Sequence, residues 1–340
     1  MTTFSKDNTL ALKGVAILFM VFAHLFNNMS LCELCDPLLY INHEPLVHYM
    51  IFAMNPVDFF IILSGYGLYI AYKGNKKNNT KRIKKLYLHY WVTLAIFVPI
   101  GYIVIGQEKY PGSITNIIYN LLAWKNDYNH ETWFLLPYVL LASTSTIIFT
   151  VTDKIRPTTI FIVSFCIYLA VRLFSRFDAN VIVTFQLYKW INSYFTLQFP
   201  FIIGMLMSRC WDFSVCKEKT IKRSGSNYRL VILLIVIFAG IILVRDKFQS
   251  IFYPFYAAAF IMCFSLLQRP RMIDKFLMEM GRRSTSVWFI HTYFCYYFFQ
   301  NFIYSFKYPI IIYIVLMGIS MVCAIIIDTI NRNIQKVLIR

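Results

Sequence analysis

Long apolar runs recur along the whole chain, and the short gaps between them hold most of its Lys and Arg. A soluble core cannot hide so many such runs, whereas a bilayer can. Spans are expected at 10–28, 47–72, 86–106, 131–151, 158–174, 194–209, 229–244, 248–268, 285–304 and 309–330. Most reach the ~20 residues that cross the hydrocarbon. The sixth and seventh are the weakest, and the stretch 179–192 reads either as an amphipathic surface helix or as part of the sixth. Composition agrees: 59% of the 340 residues are hydrophobic and 14% charged, against about 25% charged in an ordinary soluble domain. The expected fold is all-α and integral to the membrane. It is a single polytopic bundle of about ten transmembrane helices over residues 1–340, with no separate soluble domain.

The formal charge of +17 would suggest nucleic acid in a soluble protein. Here its distribution argues otherwise. With the N-terminus in the cytoplasm and ten alternating spans, about three quarters of the Lys and Arg fall in cytoplasmic segments, as the positive-inside rule requires. Both termini are expected inside, and no nucleic-acid partner is expected. No cleavable signal is expected either, because the first run outlasts an h-region and no A-x-A site follows it. Most of the eight cysteines read as packing residues. Cys32 and Cys35 form a C-x-x-C in a predicted outer loop; it could be oxidised there, but no second Cys or His pair stands nearby, so no metal site is expected.

Ionisable groups deep in spans are costly and are functional candidates by default. Lys13 and His24 share the first span. Eleven residues apart, they lie about 20° from one another around a helix and ~16 Å apart along it. A long substrate could touch both, with an anionic end at Lys13 and a reacting centre at His24. The blander reading has Lys13 snorkelling to the inner surface and His24 capping a polar pocket. In the second span Asp58 is expected at a depth similar to that of His24, where it would fix the imidazole tautomer. Asn55 and Pro56 could break that helix. Ser64, Gly65 and Tyr66 follow; the small pair also suits close helix packing, and Ser64 has no evident activating group.

The loop 73–85 is strongly basic and includes Arg82 and Lys85. It reads as a positive-inside cluster, a lipid contact or a cradle for the phosphates of a nucleotide or coenzyme. Glu131 and Trp133 open the fourth span on the outer side. Trp133 is either an interfacial anchor or, with Glu131, the wall of a carbohydrate pocket. His291 lies within the ninth span and needs a partner or a cavity.

Taken together, these segments resemble the acyltransferase-3 family, membrane proteins that O-acylate surface polysaccharides. The likeness rests on Lys13 and His24 with ten residues between them, on the F-F-I-x-S-G-Y-type stretch Phe59 to Tyr66, and on the R-x-x-R-like Arg82 and Lys85. Lys13 and Lys85 stand where the family usually has Arg, which keeps charge but loses bidentate phosphate contacts. The family's W-S-L-x-x-E element is present only as Trp133-Phe134-Leu135 without the later Glu, and Glu131 is the candidate to replace it. No counterpart of the extracytoplasmic esterase-like domain of larger members is expected. The resemblance implies transfer of an acyl group, acetyl by family frequency, from cytoplasmic acyl-coenzyme A to a hydroxyl of an extracytoplasmic or lipid-linked polysaccharide. It implies acetyl-CoA as co-substrate and no permanently bound cofactor. His24 would be the general base, with Asp58, Glu131 and His291 in the catalytic set. Lys13, Ser64, Gly65, Tyr66, Arg82 and Lys85 would hold the donor, and Trp133 the acceptor. Expected partners are acyl-CoA, the glycan and membrane lipids, in a bacterial-type plasma membrane; self-association is left open. A secondary transporter or lipid-linked sugar exporter also suits ten spans with buried charges, but gives the Lys13/His24 spacing no meaning. A non-catalytic scaffold for a polysaccharide synthase would tolerate loss of His24.

Overall fold

The structure, a computed structural model, describes residues 5–75, 79–177, 185–212, 215, 226–245 and 249–338. It is overwhelmingly helical. In chain order the elements are α1 (Lys6–Phe26), α2 (Met29–Cys32), a hairpin of β1 (Tyr40–Ile41) and β2 (Glu44–Pro45), α3 (Leu46–Met50), α4 (Val57–Lys73), α5 (Asn79–Val104) and α6 (Ile114–Leu121). There follow α7 (Leu135–Thr152), α8 (Pro157–Phe177), α9 (Gln186–Cys210), α10 (Ser226–Leu243), α11 (Gln249–Leu266), α12 (Arg271–Arg282), α13 (Ser284–Thr292), α14 (Gln300–Tyr304) and α15 (Pro309–Leu338). Among the described residues six stretches are long and apolar enough to cross a bilayer: Lys6–Phe26, Leu46–Lys73, Asn79–Val104, His130–Thr152, Pro157–Ser175 and Pro309–Leu338. Asn227–Leu243 and Ile251–Leu266 are shorter apolar helices. The chain is therefore an all-α, multi-pass membrane protein.

Several expected spans are interrupted. Asn55 and Pro56 separate α4 from a short 3-10 turn, Ile51–Ala53, after α3. The missing N–H of proline and its restriction of the preceding residue account for the break. The fourth span begins as a separate 3-10 turn, His130–Thr132, and the ninth is split between α13 and α14 by a π-helical turn, Tyr293–Phe298. Of the stretch 179–192, Gln186 onward belongs to α9, which makes it part of the sixth helix; 179–184 lie outside the described residues, as do 76–78 of the basic loop and most of the cluster between 209 and 229.

The chain forms two compact units. The first comprises Met1–Ala16, Asn55–Asn78 and Pro137–Gly281. Within it α4 packs along α9, and both meet α11. The approach of α4 to α9 is so close that a Cβ on Gly65 would lie 2.0 Å from the Phe201 carbonyl oxygen, and one on Gly204 1.9 Å from that of Ile62. The start of α1 meets α12 in the same way, Gly14 against Leu277 and Gly281 against Leu10. Without a hydrophobic drive between helices in lipid, such backbone contact is how spans hold together. At the end of α7, Asp153 accepts from Lys73 Nζ at 2.6 Å and from the Tyr69 hydroxyl at 2.7 Å. Asp58 is buried in this unit and interacts electrostatically with Arg172, whose guanidinium lies 5.4 Å from the Tyr168 ring centre.

The second unit comprises Ile17–Met54, Asn79–Leu136 and Arg282–Arg340. Here α5, α13 and α15 pack on one another. The small hairpin turns through Asn42 and His43, both at positive φ, the geometry that matches strand twist and favours Asn. Cys32 and Cys35 are both free and buried. Cys35 Sγ donates to the Cys32 carbonyl oxygen at 3.2 Å. Burial pushes the thiols up, Cys32 to about 12 and Cys35 to about 11, so neither is a reactive thiolate at neutral pH.

Candidate active site

The second unit brings His24, Glu131 and His291 together. His24 sits in the last turn of α1, which runs unbroken from Lys6 and so carries Lys13 on the same helix. His24 Nδ1 lies 2.7 Å from His291 Nε2, and the two rings are nearly coplanar, 6° apart. Its other nitrogen, Nε2, lies 3.1 Å from Glu131 Oε2. His291 is fully buried, whereas the side chains of His24 and Glu131 keep 16% and 23% of their surface exposed. The His24–Glu131 edge is therefore the accessible side of the group.

Hydrogen-bond accounting fixes the protons. His291 Nδ1 faces two acceptors, the carbonyl oxygens of Val287 at 2.8 Å and Trp288 at 3.1 Å, so it carries its proton there. In a neutral ring Nε2 is then a lone pair, and it accepts from His24 Nδ1–H. The proton on neutral His24 is thus assigned to Nδ1, which leaves Nε2 as its lone-pair nitrogen beside the Glu131 carboxylate.

The surrounding shell is built by residues the sequence reading did not single out. Asn129 caps the 3-10 turn by accepting from Glu131 N at 3.1 Å. It also donates to the Phe289 carbonyl at 3.0 Å and accepts from Thr292 Oγ1 at 3.0 Å. One buried Asn thereby ties the turn that carries Glu131 to the helix that carries His291. The N-cap preference of Asn, two residues before Glu131, was the available signal. Trp288 Nε1 donates to the Glu131 carbonyl at 2.9 Å. The Tyr296 hydroxyl donates to the His24 carbonyl from the π-helical turn, a feature common at functional sites.

The carboxylate paired with His24 is Glu131, in place of the expected Asp58. Both His24 ring nitrogens are already engaged inside the second unit, while Asp58 belongs to the first and interacts with Arg172. Trp133 stands two residues after Glu131, half-buried, with its ring against Phe134. Of the expected donor-binding residues, Lys13 is half-buried in α1, and Arg82 and Lys85 are exposed on the first turns of α5. Tyr66 is buried, Ser64 is partly exposed, and the α9 backbone covers Gly65, so packing accounts for that glycine. Among the described residues no group of three or more His, Cys, Asp and Glu is arranged to hold a metal ion.

No curated protein and no solved structure gives a significant match to this chain. The sequence pattern of one family, described as an acyltransferase domain, matches residues 11–329, nearly the whole chain, and the protein therefore belongs to the acyltransferase-3 family.

Proposed function

We propose that the protein is a membrane-embedded O-acyltransferase that moves an acyl group, acetyl first among candidates, from cytoplasmic acyl-coenzyme A to a sugar hydroxyl of an extracytoplasmic or lipid-linked polysaccharide. The observation that carries this reading is the His291–His24–Glu131 group, which leaves His24 Nε2 as an accessible proton acceptor beside a carboxylate. Imidazole is the side chain most often used as a general base in such transfers. His24 Nε2 takes the hydroxyl proton as the sugar oxygen attacks the thioester carbonyl. The new C–O bond forms, the C–S bond breaks, and the departing thiolate receives the proton from His24. Glu131 balances the imidazolium, the role first expected of Asp58, and His291 holds the tautomer. In the second unit Arg82 and Lys85 hold the donor phosphates and Trp133 serves the sugar; Lys13, Ser64 and Tyr66 are the first unit's candidates for holding the donor. Ten spans with both termini in the cytoplasm of a bacterial-type plasma membrane suit a donor inside and an acceptor outside.

The test is transfer of radiolabelled acetyl from acetyl-coenzyme A to crude surface glycan by the purified protein in liposomes. Wild type should transfer label. His24→Ala should lose at least about a hundredfold in rate, the usual scale of a general base. Unchanged turnover in His24→Ala would remove the assignment. A wild type that neither transfers label nor binds the donor would point to a transporter.

A further inference from the structure

A second buried polar cluster lies in the same unit and plays no part in the mechanism above. His89 on α5, 9% exposed, has Nε2 2.8 Å from Ser286 Oγ on α13, which is fully buried. Ser286 donates in turn to Asp328 on α15. Asp328 is anchored from its other oxygen by Arg283 at 3.1 Å.

The arrangement resembles a serine nucleophile with its base, but its protons run the wrong way. The Ser286 proton is committed to Asp328, so Ser286 Oγ can only accept from His89. His89 therefore carries its proton on Nε2. Its Nδ1 is a lone pair, to which nothing is hydrogen-bonded among the described residues. Arg283, Asp328 and Ser286 together act as a lock on the His89 tautomer. A buried imidazole held in this way accepts a hydrogen bond from a neutral N–H or O–H and does not bind a phosphate, which has no proton to give.

The position of His89 indicates which donor. Arg82, Lys85 and His89 fall within about 60° of one another around α5, with Arg82 ~10 Å along the axis from His89. Arg82 and Lys85 have no ion-pair partner among the described residues, and two cations near a helix N-terminus are unfavourable until an anion arrives. Along α13, Ser286 stands ~7.5 Å from His291. Phe289, whose ring meets His89 edge-on at 5.8 Å, accepts from the Asn129 side chain that caps the Glu131 turn. The stripe thus pairs a phosphate-binding end with a neutral acceptor, on the elements that lead to the reacting histidines.

We infer that His89 is a positioning residue for the acyl donor: its Nδ1 accepts from an amide N–H of the pantetheine arm while Arg82 and Lys85 hold the phosphates. This rests on acyl-coenzyme A being the donor. The test measures binding of coenzyme A and of adenosine 3′,5′-bisphosphate, which has the phosphates without the arm, to the full-length protein in nanodiscs. His89→Leu should weaken coenzyme A binding by about tenfold, the scale of one lost buried hydrogen bond, and leave the bisphosphate unchanged. His89→Asn, which keeps an acceptor at the δ position, should restore most of the loss. Arg82→Ala should weaken both ligands. Should His89→Leu fail to fold, Ser286→Ala keeps the imidazole but releases its tautomer, and should cost about threefold for coenzyme A alone. Equal losses for both ligands, or no loss for either, would overturn the role of His89 while leaving the donor standing. Wild type that binds the bisphosphate but gains nothing from the arm would do the same. Wild type that binds neither would overturn the donor assignment and this inference together.

Discussion

His24 has a partner on each ring nitrogen, and the two partners do different work. His291, sealed from solvent and bonded to backbone carbonyls, can only accept from His24. Removing it should impair chemistry more than binding. His291→Ala is expected to lower kcat by about a hundredfold with the acceptor KM little changed. His291→Gln, which retains an acceptor oxygen, should recover part of that loss in the same assay. A KM effect alone would make His291 a packing residue. Asp153, outside the candidate site, supports a prediction about pH. Partial burial alone would raise its carboxyl, but hydrogen bonds from Lys73 and Tyr69, with the charges of Lys73 and Arg209, outweigh this and hold it below the ordinary carboxylate range. Its folded pKa lies below its unfolded value, so its contribution is complete above about pH 4 and is lost as pH falls through the depressed value. Asp153→Asn should therefore lower the melting temperature at pH 7 and change it far less near pH 3.

At the scale of elements, close backbone contact organises the first unit. Gly204→Val would drive a side chain into the Ile62 carbonyl and force α4 and α9 apart. A loss of about 3 kcal/mol, the upper end of overpacking costs, is expected by thermal or denaturant unfolding in detergent. Gly67, also on α4, meets nothing within 4 Å of its missing Cβ. Gly67→Ala should be neutral or stabilising by up to about 1 kcal/mol. Equal behaviour of the two variants would show that the α4–α9 contact does not limit stability. Hydropathy located these helices but not their interruptions. The break at Pro56 has a local cause and was readable. The π-helical turn at Tyr293–Phe298 was not, because Phe, Tyr and Cys carry no signal that distinguishes an α from a π turn; the turn follows from seating this segment against α1 and α5.

For the whole molecule, the positive-inside bias underlies the proposed orientation with the basic loops in the cytoplasm. In a cysteine-free background, a single Cys at Asn42, on the exposed hairpin turn, should react with an impermeant maleimide in intact cells, whereas one at Lys85 should react only after permeabilisation. The reverse pattern would invert the topology and separate the basic stripe of α5 from a cytoplasmic donor. The sequence alone determined that the chain lives in a membrane, that it is helical, and that Lys13 and His24 share one helix face. All three follow from local periodicity and composition, which a bilayer enforces on every span independently. Only the tertiary structure decided that His24 meets Glu131 and His291, the latter 267 residues away. Such pairings depend on the depth, rotation and neighbours of each helix. Those are set by packing between helices, and a single span's sequence does not encode them.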